Sequence, residues 1–372
     1  MLPKITKSIV LMLTLILVMS ACASSDDEST LEEGGGLNPD AEEAEASDAA
    51  IEEPGDSNDS EAEDAADGAG QESDDGAEPA GEGGEIAIIT VDPSNPYWKA
   101  EVDTAVAEAE ALGYTTSVNA HNNDPDSQNQ FIDAAISQDV AAIILDPAGA
   151  DESVGAVQKA TDAGIPVFLV NAEIAEQGIA KSQIVSNNAQ GATLGAQAWA
   201  EAMGGEGTYV ELFGNPTDNN AQVRSDGYAE VLAQFPDLEK VQEETANWDR
   251  QEGKEKMEIM LSANPDIDGV IAGNDEMALG AIQALKDADK LQDVLVLGFD
   301  GNQDAADAVI AGEMVATVLQ PIVQGTTLAV QQADTYLTTG ETGAEEEKQA
   351  IDCILITEEN ADQLDNFVLS GA

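Results

Sequence analysis

From residue 85 onward, short apolar runs alternate with longer stretches in which apolar positions recur every three or four residues. The short runs fall at 86–91, 115–119, 141–145, 167–170, 184–186, 208–212, 241–244, 269–272, 294–298 and 315–319, and each predicts a strand. The spacing between them predicts helices over 97–112, 127–137, 154–163, 189–203, 221–234 and 252–263, with another beginning after residue 274. Regular strand–helix alternation predicts parallel sheets covered by helices on both faces. About 288 residues are many for one doubly wound sheet and comfortable for two.

The most informative stretch is Val270-Ile-Ala-Gly-Asn274-Asp-Glu-Met-Ala-Leu-Gly280. An apolar strand stops at Gly273, and Asn274 and Asp275 stand at the head of an amphipathic helix. Either residue can cap free backbone N–H groups there. Both also lie just past the carboxyl end of a strand, the edge where open α/β sheets place their ligands. The pattern recurs in Gly298-Phe-Asp300-Gly301, a strand end delivering an acid to the same edge. On these two motifs the chain resembles the periplasmic sugar-binding proteins of the ribose-binding type, the solute receptors of ABC importers. The resemblance runs from about residue 85 to 356. It implies an α/β fold of two doubly wound parallel-sheet lobes joined by a three-strand hinge. Lobe one would comprise 85–186 plus 321–349, and lobe two 187–320 plus 350–365. A neutral monosaccharide or sugar alcohol is the expected ligand, with a permease and its ATPase as partners.

Candidate ligand residues follow the strand ends. After the first strand come Asn95, Tyr97 and Trp98, where the resemblance implies an amide for hydroxyls and two aromatics for ring faces. Tyr97 and Trp98 can equally be read as a first helical turn packed on the sheet. The third and fourth strands end in Asp146 and Asn171. Ribose receptors carry Asp-Arg where Asn171-Ala172 stand, so the arginine of that site is missing and ribose itself is in doubt. Lobe two should supply Arg224, Trp248, Asn274 and Asp300, and the crossing to lobe one Gln320. Asp249, Asp275 and Glu276 read as caps and structural partners. His121, in the polar run Ala120-His-Asn-Asn-Asp124, is expected to be solvated.

The ends of the chain carry a different message. Lys4 and Lys7 precede an apolar run closed by Ser20-Ala21-Cys22, which predicts a secretory signal over 1–21. Cys22 in that position resembles a lipoprotein cleavage box, implying lipidation and a membrane anchor outside the cytoplasm. Residues 22–84 then read as a tether: from 23 to 84 there are 23 Asp or Glu, no Lys or Arg and no aromatics. Such a segment cannot bury enough apolar surface to offset its ordering entropy. Residues 85–372 hold 51 acids against 11 bases, which argues against a nucleic-acid partner and fits a high-salt habitat.

Two cysteines and one histidine leave no disulfide framework, no cysteine metal site and no Ser–His–Asp or Cys–His nucleophile. Cys353, in an apolar run, is expected to be a small buried residue. No phosphate-cradling Gly-x4-Gly-Lys-Ser/Thr loop occurs, so no cofactor or metal is expected and ATP belongs to a partner. The expected molecule is therefore a monomeric binding protein and not an enzyme. A signal receptor for a sugar-like autoinducer or chemosensory ligand is the alternative within the same fold. A glycosidase using Asp146 and Asp300 is the remote one, and a sugar-responsive repressor would need a DNA-binding helix pair in place of the acidic stretch.

Overall fold

A computed structural model describes residues 83–371. The signal segment, Cys22 and nearly all of the acidic stretch lie outside the described residues. The fold is the expected one, two α/β lobes built on parallel sheets.

In the first lobe, β1 (Glu85–Thr90), β2 (Thr115–Ala120), β3 (Ala142–Leu145), β4 (Val167–Asn171), β5 (Ser182–Ser186) and β11 (Lys348–Ile351) form one parallel sheet in the order β2-β1-β3-β4-β5-β11. Helices α1 (Pro96–Ala111), α2 (Pro125–Gln138), α3 (Val154–Asp162) and α9 (Ile322–Thr339) belong to this lobe. In the second, β6 (Glu206–Phe213), β7 (Asp237–Thr245), β8 (Gly269–Ala272) and β9 (Leu295–Leu297) pair in parallel in the order β7-β6-β8-β9. Next to β9 runs β10 (Thr317–Leu319), where Gly298 N–H donates to Ala316 O at 3.1 Å and Asp300 N–H to Val318 O at 2.8 Å. The strand β12 (Ile354–Ile356) adds antiparallel to β10. The second lobe's helices are α4 (Asn188–Ala202), α5 (Asn219–Leu232), α6 (Arg250–Ala263), α7 (Asp275–Asp287) and α8 (Gln303–Ile310).

Burial follows position in the sheet. Ala-Ile-Ile-Leu of β3 and Gly-Val-Ile-Ala of β8 are buried at every position, as strands covered on both faces must be. The edge strands β2 and β7 carry Thr, Ser, Glu and Lys and keep much of their surface in solvent. Helices begin where the chain offers an acceptor followed by a residue without an N–H. Asn95 caps α1 ahead of Pro96, and Asp124 caps α2 ahead of Pro125.

The chain passes between lobes three times, at Asn187, at Gln320–Pro321 and at Asp352–Cys353. Asn187 Nδ2 donates to Asp352 Oδ1 at 2.8 Å, and Gln190 brackets Cys353 by accepting from its N–H at 2.9 Å and donating to its carbonyl at 3.2 Å. Cys353 is a free, buried thiol, as its apolar neighbours predicted. After β12 the chain makes a 3₁₀ turn (Ala361–Gln363) and a short hairpin of β13 (Leu364–Asp365) and β14 (Val368–Leu369), which the alternation did not foresee.

Candidate functional site

Both sheets present their carboxyl ends to each other. The order reverses between β1 and β3 in one lobe and between β6 and β8 in the other, and crevices open at such switch points. A tight chamber lies between them, lined by Asn95, Tyr97, Trp98, Asn171, Asp218, Asn220, Arg224, Trp248, Asn274, Asp300 and Gln320. Nine of the ten residues singled out from the sequence are in this set. A wider polar vestibule shares Asn95, Trp98 and Trp248 with the chamber and opens to solvent past Asn122, Asn215 and Asn247.

The first lobe's wall is pinned from behind. Tyr97 OH donates to Asn171 Oδ1 at 2.9 Å, and Asn171 Nδ2 donates to Asp146 Oδ2 at 2.8 Å. Trp98 Nε1 donates to that same Asp146 oxygen at 2.9 Å. Asp146 therefore sits behind the wall, and it does not line the chamber as the strand-end pattern led one to expect. It is 1% exposed, and burial pushes its carboxyl up to about 8. Beside it Glu101, also 1% exposed, accepts from Thr90 Oγ1 at 2.9 Å, and its Oε2 has no partner. Burial, with Asp146 close by, raises Glu101 well above the usual carboxylate range.

His121 belongs to this buried layer too, and not to solvent. Its Nδ1 accepts from Asn123 N–H at 3.2 Å, so Nε2 carries the proton and donates to Asp146 O at 2.8 Å. The turn that folds it inward places Asn122 and Asn123 at positive φ, a conformation asparagine tolerates well.

The second lobe's wall is ionic. Arg224 is 3% exposed and stacks between aromatic rings, with Cζ 4.0 Å from the Phe299 centroid and 5.2 Å from that of Trp248. Its Nε donates to Asn188 Oδ1 at 2.8 Å, and Nη1 to Gly273 O at 2.7 Å and Asp300 Oδ1 at 3.3 Å. Gln320 Nε2 donates to the same Asp300 oxygen at 2.7 Å. Burial pushes Asp300 up to about 7 against the downward pull of Arg224. The loop carrying it is held by Asp275, which accepts from Gly301 N–H, Asn302 N–H and Thr317 Oγ1 at 2.7–2.8 Å, a structural partner as expected.

Trp248 lies over the ends of β6 and β8. A Cβ added at Gly214 would fall 2.1 Å from its ring, and one at Gly273 3.0 Å away. Asn274 caps α7 through Met277 N–H and donates to Trp248 O at 3.3 Å. Asn171, Trp248 and Asp300 all have positive φ (67°, 67° and 123°), a conformation non-glycine residues rarely hold. Such strain gathers where surrounding structure over-determines a site.

Sequence reasoning passed over Asp218 and Asn220. Both follow the end of β6 and so obey the strand-end rule, but Asp218 also caps α5 and reads as a cap alone. Two buried polar atoms of the lining have no partner, Gln320 Oε1 and Trp248 Nε1. Among the described residues no group of three or more His, Cys, Asp or Glu is placed to hold a metal ion.

Comparison with known proteins decides the family. Residues 86–342 match the periplasmic binding protein domain. The chain belongs to that family. It is 52% identical over 284 residues to the D-apiose import binding protein of Paraburkholderia graminis, covering 76% of this chain and 90% of the relative. The ribose import binding protein of Bacillus subtilis is 32% identical, over 66% of this chain and 78% of the relative. An ABC transporter solute binding protein from Bacillus halodurans, solved with bound myo-inositol, superposes with a TM-score of 0.71 at 29% identity, covering 76% of this chain and 97% of the other. These relatives are binding proteins, and membership of the periplasmic family implies a place outside the cytoplasm.

Proposed function

We propose that this chain captures a neutral pentose, or a sugar or sugar alcohol of similar size, between its lobes and delivers it to an ABC permease whose ATPase drives import. The observation that carries this reading is the pair of unpartnered buried atoms on the chamber wall, the Gln320 Oε1 acceptor and the Trp248 Nε1 donor. A hydroxyl both donates and accepts, so a polyhydroxy ligand serves both kinds of atom, and an orphaned buried polar group is costly. Arg224 Nη2 and Asp300 Oδ2, which make none of the hydrogen bonds above, extend the same demand. With two Asp and one Arg in its lining, the chamber has no cationic excess to hold an anionic sugar.

Asn95, Asn171, Asn220, Asn274, Arg224, Asp300 and Gln320 take hydroxyls in this reading, and Tyr97, Trp98 and Trp248 the ring faces. Asp146 acts through Trp98 and Asn171. With Ala172 buried where ribose receptors carry arginine, D-apiose, the ligand named for the 52% identical relative, is preferred to ribose. No bond in the ligand is made or broken. Asp146, needed opposite Asp300 in a glycosidase, already accepts twice within the protein. The protein acts as a monomer, without cofactor, tied to the membrane only by lipid at Cys22 and the acidic tether, and its charge suits high salt.

Thermal unfolding of the purified chain in high salt, against D-apiose, ribose, xylitol, myo-inositol and common hexoses, tests this. A ligand that binds only the folded state raises Tm. A clear rise for one or two compounds, abolished by Asp300→Ala, is expected. Silence across the panel would overturn the sugar reading and move the search to signal molecules.

A further inference from the structure

The C-terminal hairpin touches both lobes. Its 3₁₀ turn and β13 pack on α8 of the second lobe. Its turn residue Phe367, 5% exposed, meets Tyr97 of the first lobe edge-to-face, with ring centroids 5.7 Å apart and planes at 81°. Tyr97 lines the chamber and through its hydroxyl holds Asn171. Phe367 itself is not in the lining.

The turn makes the placement of Phe367 informative. Asp365 pairs with Val368, leaving a two-residue loop of Asn366 and Phe367, both at positive φ (46° and 62°). Loops of this type favour Asn-Gly, because the second position disfavours a Cβ. A large aromatic at that position is held against local preference, and its buried ring on Tyr97 is the compensating contact.

We propose that this hairpin is a clasp between the lobes and that Phe367 is a positioning residue for Tyr97. The tail carries the second lobe's motion to the aromatic wall of the first and biases the lobes toward the closed form. Only the affinity part of this rests on the sugar reading.

The test compares wild type with Phe367→Gly, which suits the turn better and removes only the ring, and with Phe367→Tyr, which keeps the ring. Trp98 and Trp248 line the chamber, whereas Trp199 is fully buried elsewhere, so acrylamide quenching of tryptophan fluorescence reports how far the chamber is open without any ligand. Quenching should rise in ligand-free Phe367→Gly, D-apiose affinity should fall roughly tenfold, and Phe367→Tyr should stay near wild type. Unchanged quenching and affinity in Phe367→Gly, even with a lower Tm, would reduce the hairpin to a structural cap and overturn the proposal. So would equal effects of Phe367→Gly and Phe367→Tyr. Should Phe367→Gly fail to fold, Phe367→Leu is read in the same way. If no sugar binds wild type, the function proposed above fails, and ligand-free quenching still decides the clasp.

Discussion

The two walls of the chamber are built from similar residues and solve opposite problems. The first lobe's wall is settled within the protein: Tyr97, Trp98 and Asn171 spend their polar atoms on one another and on Asp146. The second lobe's wall is unsettled. Arg224 and Gln320 crowd onto one oxygen of Asp300, while Gln320 Oε1 and Trp248 Nε1 have no partner. A satisfied wall is rigid and presents shape, whereas an unsatisfied one demands a polar guest. In the proposed reading the first lobe would set the slot, the second would supply most of the hydrogen-bonding free energy, and lobe closure would be driven by what the second wall lacks.

The contrast breaks most severely at Asp300. In Asp300→Ala the guanidinium of Arg224 stays buried without its carboxylate, which costs on the order of 3–5 kcal/mol of stability. Sugar affinity should fall by roughly tenfold to somewhat over a hundredfold for each hydrogen bond lost, since charge-assisted ones are worth ~1.5–3 kcal/mol each. Calorimetric titration together with chemical denaturation measures both. Asp300→Asn should retain more stability than affinity. Equal losses in the two would show that Asp300 serves the fold alone.

Trp248 sharpens the comparison next, because its ring has no freedom. Gly214→Ala puts a methyl where the ring now lies, within 2.1 Å, so the indole must leave its seat over β6 and β8. Affinity is expected to drop by about tenfold to a hundredfold while Tm moves by a few degrees, as overpacking costs ~1–3 kcal/mol. Near-wild-type binding by Gly214→Ala would mean that Trp248 has no part in holding the ligand.

Acidity should also separate the walls. Asp300 titrates near 7 because burial outweighs Arg224, and ligand hydroxyls donating to it favour the charged form. Binding then releases a proton below that range, and affinity should weaken by up to about tenfold per unit as pH falls through 7 toward 5. Titrations in buffers of different ionisation enthalpy would detect the released proton. A flat profile from pH 5 to 8 would mean that the carboxylate does not meet the ligand.

Much of this was legible in the sequence because strand ends were. Apolar runs fix where β1, β3, β4, β8 and β9 stop, and topology brings all their ends to one edge. Direction was less legible. The strand-end rule puts Asp146 at the right edge, but whether its carboxylate faces the chamber or the layer behind depends on Trp98 and Asn171, contributed from 48 residues before and 25 residues after it. His121 was misjudged for a related reason, since the polar loop around it folds inward onto the Asp146 carbonyl. The C-terminal hairpin was invisible because two-residue strands carry no periodicity, and Phe occupies a turn position whose chemistry favours Gly.

The smallest expected effect is the most discriminating, because it falls on the residue that sequence and structure place differently. In Asp146→Asn the side-chain carbonyl can still accept from Trp98 and Asn171, and the new amide can donate to Glu101, whose Oε2 lacks a partner. Because Asp146 stands behind the wall, sugar affinity should change by less than roughly tenfold, the range of one ordinary hydrogen bond. Stability should respond instead. An acid raised from 3.8 to about 8 by folding favours the native state least when ionised, so its cost is absent below 3.8, grows as pH rises and is complete above about 8. Asparagine removes that cost. The Tm of Asp146→Asn should therefore gain on wild type steadily between pH 4 and pH 8, with Kd nearly constant. A loss of affinity as large as that of Asp300→Asn would put Asp146 on the ligand after all and return the first wall to the recognition the second now carries.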